Sequence, residues 1–307
     1  MTSQNLSLRD TLLAVLVVFI WGTNFVVVVW GLNMLPPLIM AAARFALVVF
    51  PAIFFLRKPD VSWGNLAVYG LCIGTGQFGL LYIAMDGLIS PGVASVVMQL
   101  QLFFTIAIAA RRTGEKPRLH QMLGLLPAIA GVLLILMHNG EGITTAGLVM
   151  VLGGAMCWGI SNQAAREAAH GAAARGAPMN PLAYVVWASL FSLPALVVMS
   201  LVLEGPTRVT QAVLASSWPI WVTLIWQSAA NTLFGYTTWA WLLSRYPAAT
   251  VAPMSLLVPV FGISASAIVL HEPLPAWKLT ATLLIMAGVG INLLWRPRKT
   301  LVSGEAG

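Results

Sequence analysis

Arg44 is the charged residue that falls deepest inside a long apolar stretch, in Ala41-Ala42-Ala43-Arg44-Phe45. A guanidinium at that depth costs about 2.5–3.5 kcal/mol on insertion scales, so it must face protein or water rather than lipid. Two kinds of chemistry suit it. It can hold a substrate carboxylate through two parallel N–H bonds. Alternatively it can tie its helix to backbone carbonyls, or snorkel to an interface, as a structural or gating element.

Amide side chains form the second set. Asn24, Gln77, Gln99, Gln101, Asn162, Gln163, Gln227 and Asn231 all fall inside apolar spans. Such groups cement helix contacts at roughly 0.6–2 kcal/mol each, and the same donors and acceptors suit a zwitterionic ligand. Gln99 and Gln101 are two apart and point to different helix faces, so at most one is expected to face a cavity centre. Aromatic residues could shape that cavity: Trp21, Trp158, Tyr82, Tyr236 and Trp239, with Met98 and Met254 adding adaptable apolar surface. For each ring and sulfur, plain helix packing is an equal reading.

Other chemistry is missing from the sequence. His120, His138, His170 and His271 lie at span ends or in loops, and no spacing suits a metal site or a catalytic constellation. No catalytic residue, metal or cofactor is expected. Cys72 and Cys157 read as small core residues. No acidic residue occupies the middle of a span, whereas proton coupling usually relies on a buried titrating group. Facilitated movement down a gradient is the expectation.

These residues must be positioned by membrane helices. The chain is 59% hydrophobic and 8% charged, and its apolar blocks of about 20 residues can each cross a ~30 Å hydrocarbon core. The spacing predicts ten helices, near 9–30, 36–56, 64–87, 91–111, 119–138, 145–168, 181–203, 218–243, 247–270 and 275–295. Two five-helix halves repeat. Phe78-Gly79 answers Phe234-Gly235, Pro91 answers Pro247, Glu115 answers Glu272, and Ala130-Gly131-Val132 answers Ala287-Gly288-Val289. Trp21-Gly22 pairs more loosely with Trp158-Gly159. Five crossings per half force the second half to insert upside down, a mark of secondary transporters. The fold class is an all-α integral membrane protein with two inverted five-helix repeats, residues 1–138 and 145–307, joined by an outer linker at 139–144. Prolines inside spans, Pro127, Pro253 and Pro259, are hinge candidates, as is Pro194.

Placing the N-terminus in the cytoplasm puts thirteen of the 16 basic residues inside, among them Arg111, Arg112, Lys116, Arg118, Arg245, Arg296, Arg298 and Lys299, and two, Arg208 and Lys278, outside. That asymmetry fits the positive-inside rule with both termini cytoplasmic. It also accounts for the net charge of +7 without nucleic acid. The expected partners are a small-molecule substrate and the lipid bilayer. One chain holds both repeats, so a monomer suffices.

Several stretches resemble a known group. Trp21-Gly22-Thr23-Asn24-Phe25 and Arg44 in its alanine-rich setting resemble motifs of the drug/metabolite transporter superfamily. So do Gly114-Glu115 followed by Gln121, Gly124 and Gly131, and Pro259 followed by Glu272 and Gly288. Within it, the stretch from Ala94 to Thr105 and the stretch from Ala252 to Val260 are similar to the EamA-type ten-helix exporters of amino acids and cysteine metabolites. The resemblance implies a helical basket lined by helices one, three, four, six, eight and nine, exporting substrate from the cytoplasm across a bacterial inner membrane. One departure is Leu102, where Pro259 has its counterpart in the first half; helix four is expected to bend less than helix nine. The resulting expectation is an exporter of amino acids and related small metabolites. A multidrug or nucleotide-sugar type carrier, possibly with proton coupling, is the alternative within the same superfamily; an enzyme or a channel has no residues to support it.

Overall fold

The computed structural model describes residues 6–114, 118–177, 179–246 and 248–294. Glu115, Lys116, Pro247, Arg296, Arg298 and Lys299, used above for the repeat and the orientation, lie outside them. Among the described residues nine helices are long and apolar enough to cross a membrane, and a tenth segment, α8, meets the test together with the short helix bent away from it: α1 (Leu8–Leu32), α2 (Pro37–Phe54), α3 (Trp63–Met85), α4 (Pro91–Arg112), α5 (Leu119–Met137), α6 (Thr145–Ala174), α7 (Pro181–Leu203), α8 (Trp218–Leu243), α9 (Ala252–Val269) and α10 (Ala276–Leu294). No strand occurs among the described residues; Ile89 and Ile143 make one isolated antiparallel bridge.

Local chemistry sets the helix starts. Ser7, Ser62, Thr144 and Asn180 accept hydrogen bonds from the first turns of α1, α3, α6 and α7, satisfying amides that have no partner within the helix. Pro37, Pro91 and Pro181 open α2, α4 and α7, where the missing N–H costs nothing. The first amides of α2 are capped from far along the chain: Leu38 and Ile39 donate to the Glu204 carboxylate at 2.6 and 3.2 Å. One helix escaped the sequence reading. Pro206–Leu214 forms a short helix bent 103° from α8, started by Gly205 at φ +83°.

Helix pairing follows an internal two-fold. α1 packs on α9 and its counterpart α6 packs on α4; α2 pairs with α7 and α5 with α10; α3 meets α6 as α8 meets α1. Glycines carry these contacts. A Cβ on Gly22 would lie 2.6 Å from the Val258 carbonyl oxygen of α9, and one on Gly159 would lie 3.0 Å from the Thr105 amide of α4. The loosely matched Trp-Gly pairs therefore do the same job in each half. Gly124 and Gly288 face each other across α5 and α10, each with room for a backbone oxygen and nothing larger. Large apolar side chains such as Leu126, Leu133 and Leu283 point outward on this pair, where lipid tails would meet them.

The two-fold also extends to irregular backbone. α3 winds as a π-helix over Leu71–Gly79, and α8 does so over Trp226–Phe234. α4 tightens to a 3₁₀ turn at Met98–Leu100, and α9 opens with one at Ala252–Leu256. Helix four is thus interrupted at the same place as helix nine although it lacks the proline. Pro127 and Pro194 each sit within a continuous helix, Pro253 in the 3₁₀ opening of α9, and Pro259 in its α-helical body.

Candidate functional site: a two-chambered central cavity

With α8 counted as a crossing, both ends of the described chain fall on one face, here the terminal face; the opposite one is the far face. Between the repeats lie two chambers of about 50 and about 210 Å³. They share walls at Trp21, Gln99, Trp158, Tyr236 and Val258. The smaller, far chamber is completed by residues in the far halves of α1 and α3, including Asn24, Val28, Gln77, Phe78 and Leu81, and by Met98, Ser95 and Asn231. The larger, near chamber adds Gln101, Asn162, Trp239, Ser255 and, on α10, Val289 and Leu293. It reaches almost to the end of α10, so the open space widens towards the terminal face.

Of the sequence candidates, Trp21, Asn24, Gln77, Met98, Gln99, Gln101, Trp158, Asn162, Asn231, Tyr236 and Trp239 come together in these walls. The lining helices are α1, α3, α4, α6, α8 and α9, with α10 in addition. Both glutamines of α4 face the space. The 3₁₀ turn just before Gln101 has three residues per turn, and it shifts the angle between the two side chains from the α-helical value used in the sequence reading. Met254 lines neither chamber; it packs, as Trp239 does, against a small cluster of Ala14, Leu242 and Val251. Sequence reasoning missed Phe78, Ser95, Ser255 and Val258. Phe78 had a signal, since Phe78-Gly79 repeats as Phe234-Gly235.

The walls are amphipathic, and no charged side chain occurs among the described lining residues. Trp21 stacks at a tilt on Tyr236 and Trp239, with centroids 5.5 and 5.2 Å apart, while its Nε1–H donates to the Asn231 carbonyl at 3.1 Å. Gln99 Nε2 donates to the Ser255 carbonyl at 3.1 Å, tying α4 to α9 between the chambers. Asn162 Nδ2 donates to Gln101 Oε1 at 2.8 Å and to Thr105 Oγ1 at 3.3 Å. Asn24 Oδ1 and Gln77 Oε1 are buried in the wall without a hydrogen-bond partner, an unusual cost in a folded interior.

Arg44 lies behind this wall, fully buried. Its guanidinium donates to Tyr82 Oη at 2.8 Å and to Thr232 Oγ1 at 2.7 Å, and it stacks 3.7 Å from the centroid of Phe78. Tyr82 Oη in turn donates to Gln227 Oε1, and Ser228 Oγ donates to the Arg44 carbonyl at 2.9 Å. Arg44, Tyr82 and Gln227 therefore do not line the cavity. They knot α2, α3 and α8 together beside it, and Phe78 belongs to both the knot and the wall. Thr232 and Gln227 come from the π-helical part of α8, and Gln77 and Phe78 from that of α3. The wider π turn is what aims these side chains.

An apolar-and-amide cavity at the interface of two inverted membrane repeats defines a transporter rather than an enzyme. The chain belongs to the EamA-like transporter family, whose model matches residues 9–137 and 145–294, one copy per half. A probable amino-acid metabolite efflux pump of Salmonella typhimurium is 39% identical over 97% of this chain and 100% of its own length. The Escherichia coli protein of the same description is 37% identical over 95% of this chain and 98% of its own. A probable terminal-alkyne amino-acid exporter of Streptantibioticus cattleyicolor is 25% identical over 90% of each chain. A solved crystal structure, 18% identical, superposes with a TM-score of 0.60 over 92% of this chain and 96% of that one, which bears on the fold alone.

Proposed function

We propose that this transporter exports neutral amino acids and related small metabolites from the cytoplasm of a bacterium across its inner membrane. It does so by alternating access, down the substrate gradient, as a monomer with both termini cytoplasmic. The observation that carries this reading is the cavity: aromatic faces for an apolar side chain, amides for the polar end, and no charged side chain among the described lining residues. The efflux pumps that are 37–39% identical support the substrate class. Chambers of about 50 and 210 Å³ suit metabolites of amino-acid size better than nucleotide sugars. With the terminal face cytoplasmic, the near chamber is the entry side. The division into repeats at 1–138 and 145–307 follows the internal two-fold, and the substrate site would sit where the repeats meet.

Counterflow in proteoliposomes tests it. Vesicles loaded with one unlabelled neutral amino acid should take up its labelled form with no proton or sodium gradient, and the rate should vary with the amino acid loaded. No uptake with any amino acid, from protein that elutes as a folded species, overturns the reading. Uptake that appears only under an imposed proton gradient overturns the facilitative part.

A further inference from the structure

We propose that Arg44 sets the charge selectivity of the cavity without touching the substrate. Through Phe78 it favours ligands that carry a carboxylate and rejects cations. The inference rests on amino-acid transport through the cavity and adds which charge states that cavity accepts.

The argument starts from an unbalanced charge. Every contact of the Arg44 guanidinium recorded above is neutral: a phenol, a threonine hydroxyl and an aromatic face. The ion pairs among the described residues are Arg112–Glu167, Arg175–Asp60 and Lys278–Glu272, and Arg44 belongs to none of them. Its Nε is also buried without a partner. A full positive charge held in a dry interior, uncompensated nearby, projects its field into adjoining open space. The far chamber adjoins it, because Phe78 both stacks on the guanidinium and lines the chamber. The chamber walls hold no charge of their own to oppose the field. A zwitterion can then enter with its carboxylate turned towards Phe78, while a ligand with only an ammonium group meets repulsion.

Three leucine-sized competitors isolate the effect in the counterflow assay with labelled leucine: leucine itself, its decarboxylated amine and its deaminated acid. Wild type should be inhibited by leucine and by the acid, with the amine at least tenfold weaker. Arg44→Gln should bring the amine within about threefold of the acid, while Arg44→Lys, which keeps the charge, should preserve the discrimination. Loss of the Arg44 knot could also prevent folding of the glutamine variant. Thr232→Asp covers that case by giving the guanidinium a carboxylate at hydrogen-bond distance, and it should likewise erase the discrimination. An amine that competes as well as the acid in wild type, or discrimination that survives in Arg44→Gln or Thr232→Asp, overturns the proposal while amino-acid transport stands. Absence of leucine counterflow in wild type, together with absence for every other amino acid, sinks the transport reading and this one with it.

Discussion

Replacing Lys278 with methionine should cost about 3–5 kcal/mol of stability. Its ammonium lies 2.9 Å from Glu272 Oε1, and the two side chains are 4% and 7% exposed. Each partner makes a further hydrogen bond. Glu272 Oε2 accepts the Gly92 amide at 3.0 Å, at the opening of α4, and Lys278 Nζ also donates to the Pro273 carbonyl at 2.9 Å. The carboxylate thus caps the positive end of α4's helix dipole while the lysine anchors it to α10. Removing the lysine strands a buried anion whose remaining partner is one backbone amide. The double substitution Glu272→Gln with Lys278→Met should recover most of the loss, because no charge is left buried. Denaturant unfolding in detergent, followed by tryptophan fluorescence, reads both; a single variant within about 1 kcal/mol of wild type would refute the argument. The Arg112–Glu167 pair offers the contrast. Its side chains are 60% and 40% exposed, so Arg112→Ala should cost less than about 1 kcal/mol.

Much of this architecture could be read from the sequence because lipid leaves so few options. A bilayer enforces helices of about 20 residues, and the repeated Phe-Gly, Pro, Glu and Ala-Gly-Val marks set the two halves against each other. Most of the polar cavity candidates were recognisable as well, since an amide inside an apolar span needs a partner in protein, in water or in ligand. What stayed hidden depends on hydrogen-bond register. Nothing in Leu71–Gly79 or Trp226–Phe234 marks a π-helix in advance, although the glycines of α3 mark close approach. Without the π turn, both a substrate contact and a structural or gating role stayed open for Arg44. The 3₁₀ turn at Met98–Leu100 likewise undid the two-face argument for Gln99 and Gln101. Its cause is tertiary: no proline demands it in α4. Met254 failed to join the cavity for a related reason: it sits in the 3₁₀ opening of α9 and packs against the cluster of Ala14, Leu242 and Val251.

The contact between α3 and α7 gives the second large effect, and it separates two kinds of tight glycine. Gly70 and Gly74 lie one turn apart on α3, against Ala188 and Ser192 on α7, so small residues four apart face each other on both helices. A Cβ at Gly70 would lie 2.0 Å from the Ala188 carbonyl oxygen. That atom is backbone, and no side-chain movement relieves it. A Cβ at Gly74 would lie 2.2 Å from Ser192 Oγ and 2.3 Å from Ser192 Cβ, which is side chain. Gly70→Ala and Gly74→Ala should each cost about 3 kcal/mol, the upper end of overpacking penalties, seen as early loss of the folded peak on heating before size exclusion. Their rescue should differ. Ser192→Gly clears the obstacle at Gly74, but it gives up the hydroxyl that donates to the Gly70 carbonyl at 2.7 Å and adds about 1 kcal/mol of helix glycine cost. It should therefore restore Gly74→Ala only in part. Because the obstacle at Gly70 is backbone, Ser192→Gly should leave Gly70→Ala unrescued. Gly64, with nothing within 4 Å of its added Cβ, is the control, and Gly64→Ala should be neutral or slightly stabilising. Equal rescue of both glycine variants, or a Gly70→Ala protein as stable as wild type, would mean that α3 and α7 are free to separate. The π segment that begins at Leu71, and with it the placement of Gln77 and Phe78 in the cavity wall, would then need another anchor.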